Sequence, residues 1–282
     1  MIGARFSGTE ENNMPTTVIR GITYHYISKG AGVPVVLLHR YTGTWLDWHN
    51  TIPSLSSRYR CIAPDQRGFG KSERLSDPSA YTMHEYVEDI VALASHLDTE
   101  KFHLAGISMG GMIAQEFACA HQDMLLSLTL IDTAPKLPEI FYDLINPQIT
   151  ADYLKNHSLE ELWDFLFQRQ VKALPLTTVP RTPEMIKAAR LRYVEDNSPA
   201  AIMNVARMLI EWQGVWNRLS EITVRTLVVV GDRDVPFVAL SDQMVEALPN
   251  ARRVVVPESG HIPTYDNPQF FNRAYLEFLN AE

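Results

Sequence analysis

The sequence predicts an α/β domain with a mostly parallel, eight-stranded sheet, helices on both faces, and a helical insertion between two strands. Three observations carry this. Short apolar runs recur along the chain without the alternation of a half-exposed strand: "PVVLLH", "RCIAPD", "KFHLAGI", "LLSLTLID", "RTLVVVGD" and "RRVVVPE". Strands apolar on both sides belong to sheets covered on both sides, and parallel sheets are built that way. Segments of helical period lie between these runs. Between Thr133 and about Ser220 the strand rhythm stops, in a stretch rich in Leu, Phe, Trp, Arg and Glu.

Taken in order, residues 1 to about 14 are polar and are expected to be loose. "TTVIRG" and "ITYHYISKG" alternate and are separated by Gly21, which predicts an antiparallel hairpin. The six apolar strands follow. Thr82 to Leu97 places Met83, Val87, Ile90, Ala94 and Leu97 on one helical face, with Thr82 and Glu85 spaced as a capping box. "SMGGMIAQEFACAH" predicts a helix beginning at Ser108. "NPQFFNRAYLEFLN" predicts another, with Asn267 as cap and Pro268 at the first helical position. Within the insertion, "SLEELWDFLFQRQ" and "SPAAIMNVARMLIEW" have helical period, and "LPLTTVPRTP" is broken by proline. The 282 residues suit one core, 1–133 and 221–282, with a cap at 134–220.

Composition narrows the function. Hydrophobic residues are 46% and charged residues 21%, enough apolar material for a large core. A net charge of −8 argues against a nucleic-acid partner. Cys61 and Cys119 sit in apolar surroundings and are expected as buried thiols, which suits a reducing compartment. The first residues have no apolar signal region, and no run of about 18 apolar residues exists. A cytoplasmic protein with no membrane partner is therefore expected.

The strongest chemical signal is Gly106-Ile107-Ser108-Met109-Gly110, after an apolar strand and opening a helix. A serine on so sharp a turn has strained dihedrals, and a Cβ two residues before or after it would clash. The helix N-terminus directs N–H groups toward the serine oxygen, and the Met109 N–H is placed to meet an oxyanion. Serine needs a base. His261, in a Gly-flanked loop past the last buried strand, is the candidate. His39, His96, His103 and His121 lie on or beside strands and helices and read as packing or exposed residues. The base needs an orienting carboxylate. Asp234, just before a Val-Pro turn, is preferred. Asp232 reads as a turn cap, and Asp132 follows another strand that ends at the same edge.

These motifs, with "VVLLHRYTGT", "APDQRGFGKS", "VVVGDRDVP" and "ESGHIP", resemble the α/β-hydrolase fold family from about Thr16 to Leu279. "GISMGGMIAQ" and the cap length resemble its enol-lactonase and small carboxylesterase branch. The resemblance implies the order Ser108, Asp234, His261 for a catalytic triad, with no metal or organic cofactor. It makes Asp65, Arg67 and Ser72 scaffold residues. It implies a small ester or lactone as substrate, and it leaves oligomeric state open. An epoxide hydrolase or haloalkane dehalogenase would need a carboxylate at position 108. Carbon–carbon bond hydrolases of this family usually carry Trp after the catalytic His, where this chain has Ile262. A cofactor-free haloperoxidase or perhydrolase would keep the same triad, and a small-molecule receptor with vestigial hydrolysis would too.

One position departs from the family. After the strand-end His39 the family has Gly, and the next N–H, here that of Tyr41, is the second oxyanion donor. This chain has Arg40. Either Arg40 holds a strained glycine-like conformation, or the loop takes another path. Its guanidinium either pairs with a scaffold carboxylate such as Asp65 or points into the pocket to read a substrate carboxylate. Trp163 and Trp212 are the cap residues taken as candidate substrate contacts.

Overall fold

The computed structural model describes residues 15–173 and 181–281. The expected loose N-terminus and most of "LPLTTVPRTP" lie outside them. Eight strands form one sheet: β1 (Thr16–Ile19), β2 (Ile22–Lys29), β3 (Val33–Leu38), β4 (Tyr59–Pro64), β5 (Phe102–Ile107), β6 (Leu125–Ile131), β7 (Thr226–Gly231) and β8 (Ala251–Val256). Their order is β1-β2-β4-β3-β5-β6-β7-β8. β2 runs antiparallel to β1 and β4, and every pair from β4 to β8 is parallel. The hairpin turns through Arg20 (φ 52°) and Gly21 (φ 80°), the two positive-φ residues that a tight two-residue turn requires.

The parallel strands β3 to β7 are largely apolar because they are covered twice, whereas the edge strand β8 exposes Arg252 and Val255. Val36 and Leu38 of β3 face a cluster with Ile113 and Phe117. Val35 and Leu37, between and beside them, face another with Trp48 and Phe271. All four strand residues are buried, and each contributes about 1.5–3 kcal/mol by leaving water. The first cluster includes α1 (Met83–His96) and α2 (Met109–His121). Thr82 caps α1 by accepting from the Glu85 N–H at 3.2 Å. Only half of the predicted box forms, because the Glu85 carboxylate turns to Arg20 and Arg67.

Among the described residues, four α-helices lie between β6 and β7: α3 (Pro147–Leu154), α4 (Leu159–Ala173), α5 (Pro183–Asp196) and α6 (Pro199–Glu211). The apolar period finds α4 and α6 and misses α3 and α5. In α5 Tyr193 is the one buried residue, so it carries little periodic signal. Its start was nonetheless written in the chain: Thr182 caps it, accepting from Met185 N, and Pro183 follows. The inserted helices are tied to the loops at the strand ends. The Tyr41 hydroxyl donates to Ile202 O at 2.8 Å, and Gly70 N donates to Asp196 O at 2.8 Å.

Two further long helices, α7 (Val235–Ala247) and α8 (Pro268–Asn280), belong to the core, with single-turn helices at Ile52–Leu55 and Pro263–Asp266. Asn267 caps α8 by accepting from Phe270 N at 3.3 Å. Both cysteines are free thiols; Cys61 is buried, whereas Cys119 is only half-buried. Burial pushes Cys61 up to about 12 and Cys119 up to about 11, so neither is a thiolate at neutral pH. No helix among the described residues is long and apolar enough to cross a membrane.

Candidate active site

Ser108 sits between β5 and α2 at φ 53°, ψ −115°, outside the basins that L-residues ordinarily occupy. Neighbouring bonds fix it there. Its N–H donates to Ile131 O at 2.9 Å, and its carbonyl accepts from Thr133 Oγ1 at 2.7 Å. The turn has no room for side chains. A Cβ on Gly106 would stand 2.2 Å from Gly110 C, and one on Gly110 would stand 2.5 Å from Leu38 O and 2.7 Å from His39 O. Close packing at Gly110 therefore seats the helix N-terminus against the end of β3, beside the loop of Arg40 and Tyr41. Met109 opens α2, and the first N–H groups of a helix have no acceptor within it.

The β3 loop is set by His39, which is fully buried. Its Nε2 accepts from Gln66 N at 2.8 Å, so its Nδ1 carries the proton and donates to Arg40 O at 2.7 Å. Burial pulls the His39 pKa down, which keeps the ring neutral. Arg40 O also accepts from Gly43 N at 3.0 Å. In a trans peptide the C=O and the following N–H point oppositely. With Arg40 O committed to His39 and Gly43, the Tyr41 N–H points the other way.

Arg40 is not a strained residue; the positive φ falls at Thr42 (57°). The loop thus takes its own path rather than forcing Arg into a glycine conformation. The Arg40 guanidinium lies 3.5 Å from Asp47 Oδ1 and donates to Tyr41 O at 3.2 Å. It pairs with the scaffold, as one expectation had it, but with Asp47 and not Asp65. Asp65 is already occupied by His25 Nδ1 at 2.7 Å, Trp45 N at 2.9 Å and Lys71 N at 3.0 Å. Ser72 donates to Asp65 O, and Arg67 grips Asp89 through two 2.6 Å bonds. All three of these residues are buried scaffold.

His261 stands beyond β8, half-buried, with its Nδ1 2.6 Å from Asp234 Oδ2. Asp234 is 1% exposed. Instead of preceding a simple turn, it is the residue from which α7 springs, with Pro236 in the first turn. The His261 loop is pinned at two points. Asp232 Oδ1 accepts from Ser259 N, and Asp266 Oδ2 accepts from Gly260 N, each at 3.0 Å. Phe237 lies with its ring centroid 5.1 Å from that of His261. Nothing in the sequence pattern marked Phe237 or Asp266; both reach the base only through the fold.

The three carboxylates weighed from the sequence thus divide cleanly. Asp234 bonds the histidine, and Asp232 staples its loop. Asp132, also 1% exposed, accepts from Gly231 N at 2.9 Å. Side-chain atoms of Asp132, Asp234 and His261 all lie within 4.8 Å of one another. Such a set could surround a cation, but the His261–Asp234 bond already uses two of the atoms an ion would need. Burial first, and then the neighbouring Asp234, push Asp132 well above the usual carboxylate range.

The tentative cap contacts are placed differently. Trp163 lies on α4 and stacks on Phe167 with centroids 4.9 Å apart. Trp212 follows α6, and its indole N–H donates to Glu116 of α2 at 3.0 Å, linking insertion to core. Each therefore has a partner other than Ser108, Asp234 and His261.

Comparison with known proteins agrees with this fold. Residues 33–268 match the family model described as the alpha/beta hydrolase fold. A thermophilic esterase from Thermogutta terrifontis superposes with a TM-score of 0.80 at 27% identity, over 95% of this chain and 98% of that one. The enol-lactonase from Burkholderia xenovorans LB400 superposes with a TM-score of 0.79 at 21% identity, over 95% of this chain and all of that one (100%), a likeness of fold. The soluble epoxide hydrolase of Corynebacterium sp. (strain C12) is 36% identical over 120 residues, which are 43% of this chain and 41% of that protein.

Proposed function

Because the chain belongs to the α/β-hydrolase fold family, we propose that it is a serine hydrolase acting on a small carboxylic ester or lactone. One observation carries the reading. A serine held at φ 53° on a strand-to-helix turn shares the sheet edge with a histidine whose Nδ1 is fixed by a buried aspartate at 2.6 Å. In the proposed mechanism His261 Nε2 takes the Ser108 proton as Oγ attacks the carbonyl. Asp234 holds the ring tautomer and balances the imidazolium. The tetrahedral oxyanion is met by the N–H groups of Met109 and Tyr41, fixed before reaction by the helix start and by the His39–Arg40 bond. His261 then protonates the leaving oxygen, and a water it deprotonates releases the acyl group from Ser108.

The residues separate this reading from its relatives. Epoxide opening in this family uses a carboxylate where this chain has Ser108. Carbon–carbon hydrolysis is disfavoured by Ile262 after the base. A receptor would stall where an enzyme turns over. The test is intact-protein mass after a fluorophosphonate, on wild type and Ser108→Ala, with turnover of a short p-nitrophenyl ester in parallel. One adduct on wild type alone, with steady turnover, is expected. Absence of the adduct would sink the reading, and an adduct without turnover would favour the receptor.

A further inference from the structure

The mechanism above uses Asp234 and leaves Asp132 unexplained. β6 and β7 are parallel neighbours, so their carboxyl ends emerge side by side. Asp132 is the first residue past β6, and it holds a positive φ of 42°, unusual for a non-glycine residue. Such strain persists where the surroundings over-determine it, and it clusters at functional sites. Asp132 Oδ1 takes the Gly231 N–H, which positions its side chain at the end of β7. Its Oδ2 is buried and has no hydrogen-bond donor. That oxygen belongs to the side chain whose polar atoms lie within 4.8 Å of Asp234 and His261.

Two carboxylates this close and this buried cannot both be ionised. The charged groups around Asp132 do not relieve it. Asp234 and Asp266 are both acidic, and the Gly231 N–H is the opposing dipole. One proton therefore has to reside on the pair. Asp234 is the member bonded to His261, so the proton belongs on Asp132.

We propose that Asp132 is a protonated carboxylic acid that positions Asp234 by donating to it, and a reserve carboxylate that takes up the negative charge when Asp234 cannot carry one. The balance is simple. In the resting pair one proton and one negative charge are shared, with the charge on Asp234. Burial and the charge on Asp234 together keep Asp132 protonated; if residue 234 becomes neutral, burial alone remains, ionisation of Asp132 becomes easier, and when its proton leaves to solvent the charge reappears within 4.8 Å of the histidine. Asp132 is thus a positioning residue, not a group that touches substrate. The inference rests on the serine-hydrolase reading of Ser108, His261 and Asp234.

The test is a double-mutant cycle with Asp132→Asn, Asp234→Asn and the pair, read as kcat/KM against pH. Asparagine at 132 still accepts from Gly231 N–H and donates to Asp234, so the single variant should stay near wild type. An isolated orienting aspartate replaced by Asn loses about 10⁴-fold. Asp234→Asn should lose only about 10²-fold, and its rate should rise through an added ionisation that the double variant lacks, the double falling toward the full 10⁴-fold loss. Equal rates and equal pH profiles for Asp234→Asn and the double variant would overturn the reserve role. A loss in Asp132→Asn as large as that in Asp234→Asn would overturn the protonated role. Infrared spectroscopy of the resting proteins decides the proton independently of activity. A carboxylic-acid carbonyl band should be present in wild type and missing in Asp132→Asn, and its absence from wild type would refute the proposal. Fluorophosphonate labelling of wild type, run alongside, tells a failure of the hydrolase reading apart from a failure of this one.

Discussion

If Ser108 is held in a strained backbone conformation for the sake of its chemistry, replacing it with glycine should stabilise the protein while abolishing activity. The comparison to make is Ser108→Gly against Ser108→Ala. Neither has the hydroxyl, so loss of Oγ cancels. At φ 53°, ψ −115° a Cβ is present in alanine and absent in glycine. A non-glycine residue in such a sparsely populated region costs about 1–3 kcal/mol. Glycine gives back about 0.4–1 kcal/mol through the greater freedom of its unfolded chain. The difference leaves Ser108→Gly more stable by about 1 kcal/mol, roughly 2–4 °C in Tm for a chain of this size. The surrounding bonds, Ser108 N to Ile131 O and Thr133 Oγ1 to Ser108 O, do not involve the side chain and survive in both variants. Urea unfolding with an unchanged m-value is the assay. At an unstrained position the sign reverses, and glycine loses. Finding Ser108→Gly less stable than Ser108→Ala by the usual about 0.4–1 kcal/mol would refute the strain argument.

The remaining predictions concern the groups around the site. Arg40→Gly should change the rates on neutral and anionic esters by the same factor, because the guanidinium is paired with Asp47; a selective loss on anionic esters would show that it reads a substrate carboxylate. Asp89→Ala should destabilise by about 3 kcal/mol in urea, the low end for a broken buried pair, since it removes the two-bond partner of the buried Arg67 but leaves Glu85 beside it; a loss under about 1 kcal/mol, the range of exposed pairs, would mean the pair acts like a surface one. Asp132→Asn should be more stable than wild type at pH 7 and no more stable near pH 4. The folded pKa of Asp132 is raised above its unfolded value, so its contribution is present below the unfolded pKa and is lost as pH rises toward the folded one. The gap should open by at most about 1.4 kcal/mol per pH unit above about pH 4, and thermal melts across that range would expose a flat difference as contrary evidence.

Much of this molecule is legible in one dimension because its sheet is covered on both faces. Val35 to Leu38 form one unbroken apolar run for that reason, and the same argument accounts for the parallel strands β3 to β7, whereas β8 was legible from its valine run although it is a partly exposed edge strand. Gly106 and Gly110 were legible because steric exclusion acts on residue type directly, and the structure shows the atoms that do the excluding. What the sequence left unread depends on which solvated or polar groups happen to meet. α5 was missed because a helix that buries mainly Tyr193 has no apolar stripe to detect. The sequence offered Asp65 only as an example of a scaffold carboxylate for Arg40 and did not point to Asp47, because nothing local shows that Asp65 is saturated by His25 and two backbone N–H groups. The carboxylates make the same point most sharply. A pattern reader sees Asp132, Asp232 and Asp234 as competitors for one role, since each follows a strand that ends at the same edge. Parallel pairing of β6 with β7 brings all three to that edge at once, and their hydrogen-bond partners assign them different work. Choosing one acid from the sequence answers for the histidine, but the fold brings two buried carboxyl groups to it at once.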